Sequence, residues 1–170
     1  MKGRTHDRSY NHQHYLQEYD ARTPVEQELL QALAVLHIPC HVDDIVEYLA
    51  LIPASRCAKL SRDFVESRLR ELENVHLVVS QNHEIYQLKF ELTQELFSKL
   101  VWTQKLEGFV NAARTHFPLL DQACELNHTD VFKAELFETG SEVILFAIRV
   151  ALYLNNKEFD ITEYLSLIHI

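Results

Sequence analysis

The chain holds 170 residues, room for one ordinary domain or two small ones, and 47% of them are hydrophobic, so a buried core is feasible. Its 16 basic and 25 acidic residues leave a formal net charge of -9, which argues against non-specific adhesion to phosphate backbones and leaves room only for a local basic patch. Gly 3 and Pro 4 favour helix-rich structure and disfavour a sandwich or barrel.

Cys40, Cys57 and Cys124 are too few and too scattered for a disulfide framework, and an odd count suits a reducing cytosol. Met1–Ala21 is polar and His-rich without an apolar core segment, so it does not read as a signal peptide. The longest apolar run, Val143–Leu154, is interrupted by Arg149 and is too short to span a bilayer. The expectation is a cytoplasmic protein without a membrane partner.

Residues 1–22 carry Arg4, His6, Arg8, His12 and His14 among polar residues with no hydrophobic period, which predicts a flexible polar arm. A metal-binding tract from His6, His12 and His14 is the alternative, but no fixed spacing supports it.

The first helix is well marked. Thr23 at the N-cap, Pro24 at N1 and Glu26 at N3 form a capping box, and Val25, Leu29, Leu30, Leu33 and Leu36 recur at helical spacing up to Pro39. A second helix over His41–Ala50 has a stripe of Val42, Ile45, Val46 and Leu49, with Asp43 and Asp44 in its dipole-favoured first turn. After a connector at Pro53, a third helix starts from the N-cap Ser61 and runs to about Glu73. Val65, Leu69 and Leu72 form its apolar side; Asp63, Glu66, Ser67, Arg70 and Glu73 lie opposite. Arg68 falls inside the apolar arc, where it must snorkel to the rim or pair with a neighbouring helix.

Two β-prone runs follow, Val75–Val79 and Ile85–Phe90, around a turn at Ser80–His83 in which Asn82 suits a positive φ. The turn carries no Lys or Arg. From Glu91 the pattern is helical to about His116, as one helix or as two broken near Gly108. Leu119–His128 is ambiguous. Helices are predicted over Asp130–Glu138 and Glu142–Leu154, joined by a short turn at Gly140. That pairing is compatible with a helical array, although no internal repeat of fixed period occurs.

The order α-α-α-β-β from Val25 to Phe90 resembles a winged-helix domain. Glu26–Leu88 is similar to the winged-helix modules of bacterial multidomain regulators and helicase-like ATPases. The run Glu84-Ile-Tyr-Gln-Leu-Lys-Phe90, entering an apolar helix, is similar to the wing exit of signalling ATPases with a helical-repeat region behind it. The fold expected is therefore mainly α with a small β-hairpin: a flexible arm (1–22), a winged-helix domain (23–90) and a helical extension (91–164). The last residues, Leu165-Ser-Leu-Ile-His-Ile170, resemble the translation of a transposon-end sequencing adapter. They predict an artefactual tail (165–170) and a natural protein that continues beyond Tyr164.

In a winged helix the third helix is the element offered to the DNA major groove, where Lys and Arg must reach phosphates and base edges. Arg56, Lys59, Arg62 and Arg70 are the candidates for such contacts, but Asp63, Glu66 and Glu73 stand beside them. His37, Cys40, His41 and Cys57 are metal-type ligands without the tight pairs of a structural zinc site. Cys124 and His128 at i, i+4 lack an orienting group and an oxyanion donor. Trp102, Phe97, Phe109 and Phe117 read as core packing. No G-x-x-x-x-G-K-[ST] or G-x-G-x-x-G occurs, so no phosphate cradle is expected. No catalytic residue, metal or cofactor is expected in this chain. The leading expectation is a non-catalytic protein-interaction or spacer module within a larger multidomain protein. The alternatives are a DNA-binding transcription regulator using residues 61–73 and the N-terminal fragment of a helicase-like ATPase without its motor.

Overall fold

The computed structural model describes residues 5–117 apart from His37, with side chains from Gln13 onward. Outside the described residues lie the elements expected over Leu119–His128, Asp130–Glu138 and Glu142–Leu154, the Cys124/His128 pair, the 165–170 tail, and the side chains of His6 and His12.

The described chain runs α1 (Thr5–Asp20), α2 (Pro24–Leu36), β1 (Cys40–His41), α3 (Val42–Leu51), α4 (Arg62–Asn74), β2 (Val78–Gln81), β3 (Ile85–Leu88), α5 (Phe90–Trp102) and α6 (Leu106–His116). It is mainly helical, with one small antiparallel sheet of order β1-β3-β2. No described helix is long and apolar enough to cross a membrane.

Local chemistry sets most of these boundaries. The capping box at α2 forms as the sequence suggests: the Thr23 amide and hydroxyl donate to Glu26 Oε2 at 2.8 and 2.6 Å, and the Glu26 amide returns to Thr23 Oγ1 at 3.4 Å. Ser61 caps α4 by accepting from the Phe64 amide. The second helix begins at Val42, because Cys40 and His41 pair as β1 with Tyr86 and Ile85. The His41 ring then caps α3 by accepting from the Asp43 amide at 3.3 Å.

Four expectations are corrected. The predicted arm contains a helix, α1, and its C-terminal part is packed. Tyr19 is buried and its hydroxyl accepts from Gln31 at 2.7 Å, while Gln27 donates to the Tyr19 and Asp20 carbonyls that close the helix. The first long strand begins at Val78, not Val75. Val75 caps α4, and His76 takes a positive φ of 61° as the helix closes with Leu77 N–H on the Leu72 carbonyl. The helix after Phe90 breaks at Thr103–Lys105, not at Gly108: Gln104 adopts φ 57°, and Lys105 N–H bonds the Leu100 carbonyl in the same closing pattern. Trp102 is not core but 83% exposed.

The packing is continuous. Leu29, Leu30, Leu33 and Leu36 of α2 lie in one buried cluster with Ile45, Tyr48 and Leu49 of α3, Val65, Leu69 and Leu72 of α4, and Tyr86 and Leu88 of β3. Leu92, Leu96 and Leu100 of α5 and Phe109, Val110 and Ala113 of α6 join the same cluster. α5 packs on α1 and α2, and α6 on α2 and α3. α4 packs on α3 and β2, so its outer side and the β2–β3 turn stay open to solvent.

Candidate nucleic-acid interface

The outer face of α4 carries Asp63, Glu66, Ser67, Arg70, Glu71 and Asn74, which line one shallow depression. It is laced by ion pairs. Arg62 Nε donates to Asp43 of α3 at 2.7 Å, and its Nη1 donates to Glu66 at 2.7 Å. Arg70 Nη2 donates to the other oxygen of Glu66 at 2.5 Å. Glu66 thus sits between the two arginines and accepts from both, and its side chain is only 19% exposed.

The electrostatic consequence follows. Asp43 first, by hydrogen bond and charge, and then Glu66 raise the affinity of Arg62 for its proton. Glu66 first, then the Tyr86 hydroxyl, do the same for Arg70. Each guanidinium faces a carboxylate, so a phosphate approaching it must displace an acceptor already in place.

Arg68 resolves the oddity in the apolar arc. Its guanidinium lies 5.1 Å from the Phe64 ring centroid and donates to Glu71 at 2.6 Å, while its Nε is buried without a partner. Of the four candidate contacts, Arg62 and Arg70 are brought together by Glu66. Arg56 and Lys59 stay apart in the connector, exposed, with no ion pair among the described residues. The Arg56 amide and the Ser55 hydroxyl bond Glu28 of α2, so that connector is pinned to the core by a carboxylate.

The β2–β3 turn is tied to the same helix. Asn82 and His83 take φ 56° and 57°, and the Glu84 amide closes the turn on the Gln81 carbonyl. Ser80 Oγ donates to Glu73 Oε1 at 2.5 Å, and His83 Nδ1 lies 3.3 Å from Glu73 Oε2. The Tyr86 hydroxyl donates to the His83 carbonyl at 3.1 Å. Sequence reading missed this Glu73 contact set, because helix and turn are brought together only by the tertiary fold.

No known protein family, curated protein or solved structure matches the chain. The residues themselves therefore carry the functional argument.

Of the metal-type residues, His37 lies outside the described residues. Among the described residues no three His, Cys, Asp or Glu side chains come together to hold an ion. Cys40 and Cys57 are both buried, and desolvation pushes each thiol up to about 12, with Asp44 and Glu28 respectively adding to it. Neither supplies a thiolate at neutral pH, the form that metals and electrophiles require. His116 instead lies between Asp44 and Glu47 of α3, at 3.4 and 3.7 Å, and stacks edge-on against Phe117. It ties the end of α6 to α3.

Proposed function

We propose that residues 23–90 are a winged helix used as a protein-docking or spacer module beside other protein domains, and not as a reader of duplex DNA. The α2-β1-α3-α4-β2-β3 order, with β1 beside β3, supports the winged-helix reading. The observation that carries the functional one is the placement of Glu66 between Arg62 and Arg70 on the exposed face of α4. Non-specific duplex binding draws its free energy from several Lys and Arg releasing counterions. Here the α4 cations are held by carboxylates, the turn beside them carries no Lys or Arg, and Arg56 and Lys59 alone are too few.

A fluorescence anisotropy titration of the protein against labelled duplex DNA, in low salt and then in rising salt, tests this. No saturable binding is expected at any salt concentration. Binding in low salt that weakens steeply with salt, and that is lost in the Arg62→Ala, Arg70→Ala double variant, overturns the proposal in favour of a DNA-binding regulator.

A further inference from the structure

Phe64 is 40% exposed on α4, a large apolar ring that the fold leaves in water. The Arg68 guanidinium lies 5.1 Å from its centroid, donates to Glu71, and is near Glu26 in the first turn of α2. Phe64 and Arg62 stand about 200° apart around the helix. Arg62 ties one flank of α4 to Asp43 of α3, so Phe64 occupies the other flank, toward the start of α2.

The connector before α4 reaches the same flank. The Cys57 thiol donates to the Val25 carbonyl of α2 at 3.6 Å, and the Leu60 amide turns back onto the Cys57 carbonyl at 3.1 Å. Ser61 then caps the helix through the Phe64 amide. Arg56 and Lys59 belong to this turn, both exposed, with no ion pair among the described residues. Elsewhere on this acidic chain Arg22, Arg62, Arg68, Arg70 and Lys99 each face a carboxylate.

The two cations are also held in place. The Ser55 hydroxyl and the Arg56 amide donate to Glu28, and the Cys57 amide donates to Ser55 Oγ at 2.9 Å. A partner meeting this connector has little backbone to order, which removes one of the main costs of association. An exposed aromatic ring beside unpaired cations suits a partner that brings an apolar side chain and carboxylates together. Duplex DNA would use the cations and leave the ring idle, and two phosphate contacts release too few counterions to hold it.

We propose that Phe64, Arg56 and Lys59 form a docking surface for an acidic segment of a partner protein that carries a large apolar side chain. The apolar side chain covers Phe64, and the carboxylates pair with Arg56 and Lys59. Asp63 and Glu66 on the adjoining face of α4 bound the patch and repel an acidic segment placed further round the helix. This inference rests on the reading of residues 23–90 as a protein-docking module, and assigns that module its surface and its partner's chemistry.

A random peptide library displayed on phage and selected against the immobilised full chain tests the proposal. Enriched peptides are expected to combine Asp or Glu with Leu, Phe or Trp. A labelled synthetic copy of the leading sequence is expected to lose roughly tenfold in affinity on Phe64→Ala. Arg56→Glu with Lys59→Glu is expected to cost about as much, and that loss shrinks as salt rises. All three side chains are exposed, so the urea midpoints are expected to stay near the parent's. If Phe64→Ala does not fold, the connector variant, outside every helix, decides alone. Enriched peptides of basic or uncharged composition overturn the proposal, as does affinity that the variants leave unchanged; in either case a docking module remains, with another surface. Failure to enrich any peptide overturns the docking reading with it and leaves the spacer. Saturable duplex binding that the connector variant abolishes overturns both in favour of a DNA-binding regulator.

Discussion

Glu26 is a buried carboxylate at the start of α2, and it remains ionised against that burial. Desolvation opposes the charge, but the Thr23 hydroxyl and amide, with Arg22 and Arg68 nearby, outweigh it and hold the carboxyl below its ordinary 4.5. A depressed folded value means that Glu26 stabilises the fold fully above that ordinary value and loses its contribution as pH falls through the folded one. Urea unfolding across a series of pH values is expected to show a shallower acid limb for Glu26→Gln than for the parent. Thr23→Ala is expected to cost about 1 kcal/mol at neutral pH, the usual loss on deleting a helix cap. Cys40 and Cys57 give a second expectation at this scale. Both thiols are buried and raised to about 12, so neither is expected to react with a thiol reagent at neutral pH until the chain is unfolded. Rapid labelling of either residue in the native protein would contradict the packing described.

The helices end by an unusual choice of residue. α4 and α5 both close on a left-handed residue with paired amide returns, and in both cases that residue is not glycine: His76 and Gln104. A side chain in that conformation costs roughly 1–2 kcal/mol relative to glycine, part of which glycine's greater freedom in the unfolded chain takes back. His76→Gly and Gln104→Gly are therefore each expected to raise stability by up to about 1 kcal/mol, measured as a shift in the urea midpoint at unchanged slope. Gly108 is the converse case. It lies inside α6, where a Cβ would meet Pro53 Cδ at 3.3 Å. Pro53 sits on an exposed turn and can yield, so Gly108→Ala is expected to be neutral or to stabilise by less than about 1 kcal/mol.

These positions mark where the sequence was legible. Periodic leucines, the Thr23–Glu26 box, the Ser61 cap and the positive φ at Asn82 depend on neighbours close in the chain, and each was readable there. The end of α5 was not, because the usual glycine signal pointed to Gly108 while Gln104 takes the turn. β1 was hidden for another reason: its Cys40–His41 pairing exists only through β3, far along the chain. Tyr48 is fully buried beside the stripe read on α3, and its hydroxyl donates to the Phe109 carbonyl, a contact no local pattern announces. Of the four candidate cations, Arg62 and Arg70 lie on α4, and Arg56 and Lys59 in the connector before it. The Arg62–Asp43 pair was not legible, since it joins α4 to α3, whereas Glu66 stands one helical turn from both Arg62 and Arg70 on α4 itself.

At the scale of the molecule, the acidic excess is organised as well as large. α4 presents paired charges outward, with Phe64 exposed beside them, and the other exposed large apolar side chains are spread over Leu51, Val79, Phe90 and Trp102. Glu66→Gln is expected to leave the unfolding midpoint nearly unchanged, because exposed pairs of this kind contribute little to stability. Its informative readout is duplex affinity in low salt. If the carboxylate is what withholds Arg62 and Arg70, the variant is expected to gain weak, salt-sensitive binding that the parent lacks.

Glu73 is the last feature with consequences at this scale. It grips Ser80 and His83 from the end of α4. A hairpin held only by its two strands would swing about its base. This one is braced at its tip, so helix end and turn behave mechanically as one rigid bracket. Amide hydrogen exchange is then expected to open the last turn of α4 and the β2–β3 hairpin as a single cooperative unit. Glu73→Ala would uncouple them, freeing the hairpin while the helix stays protected.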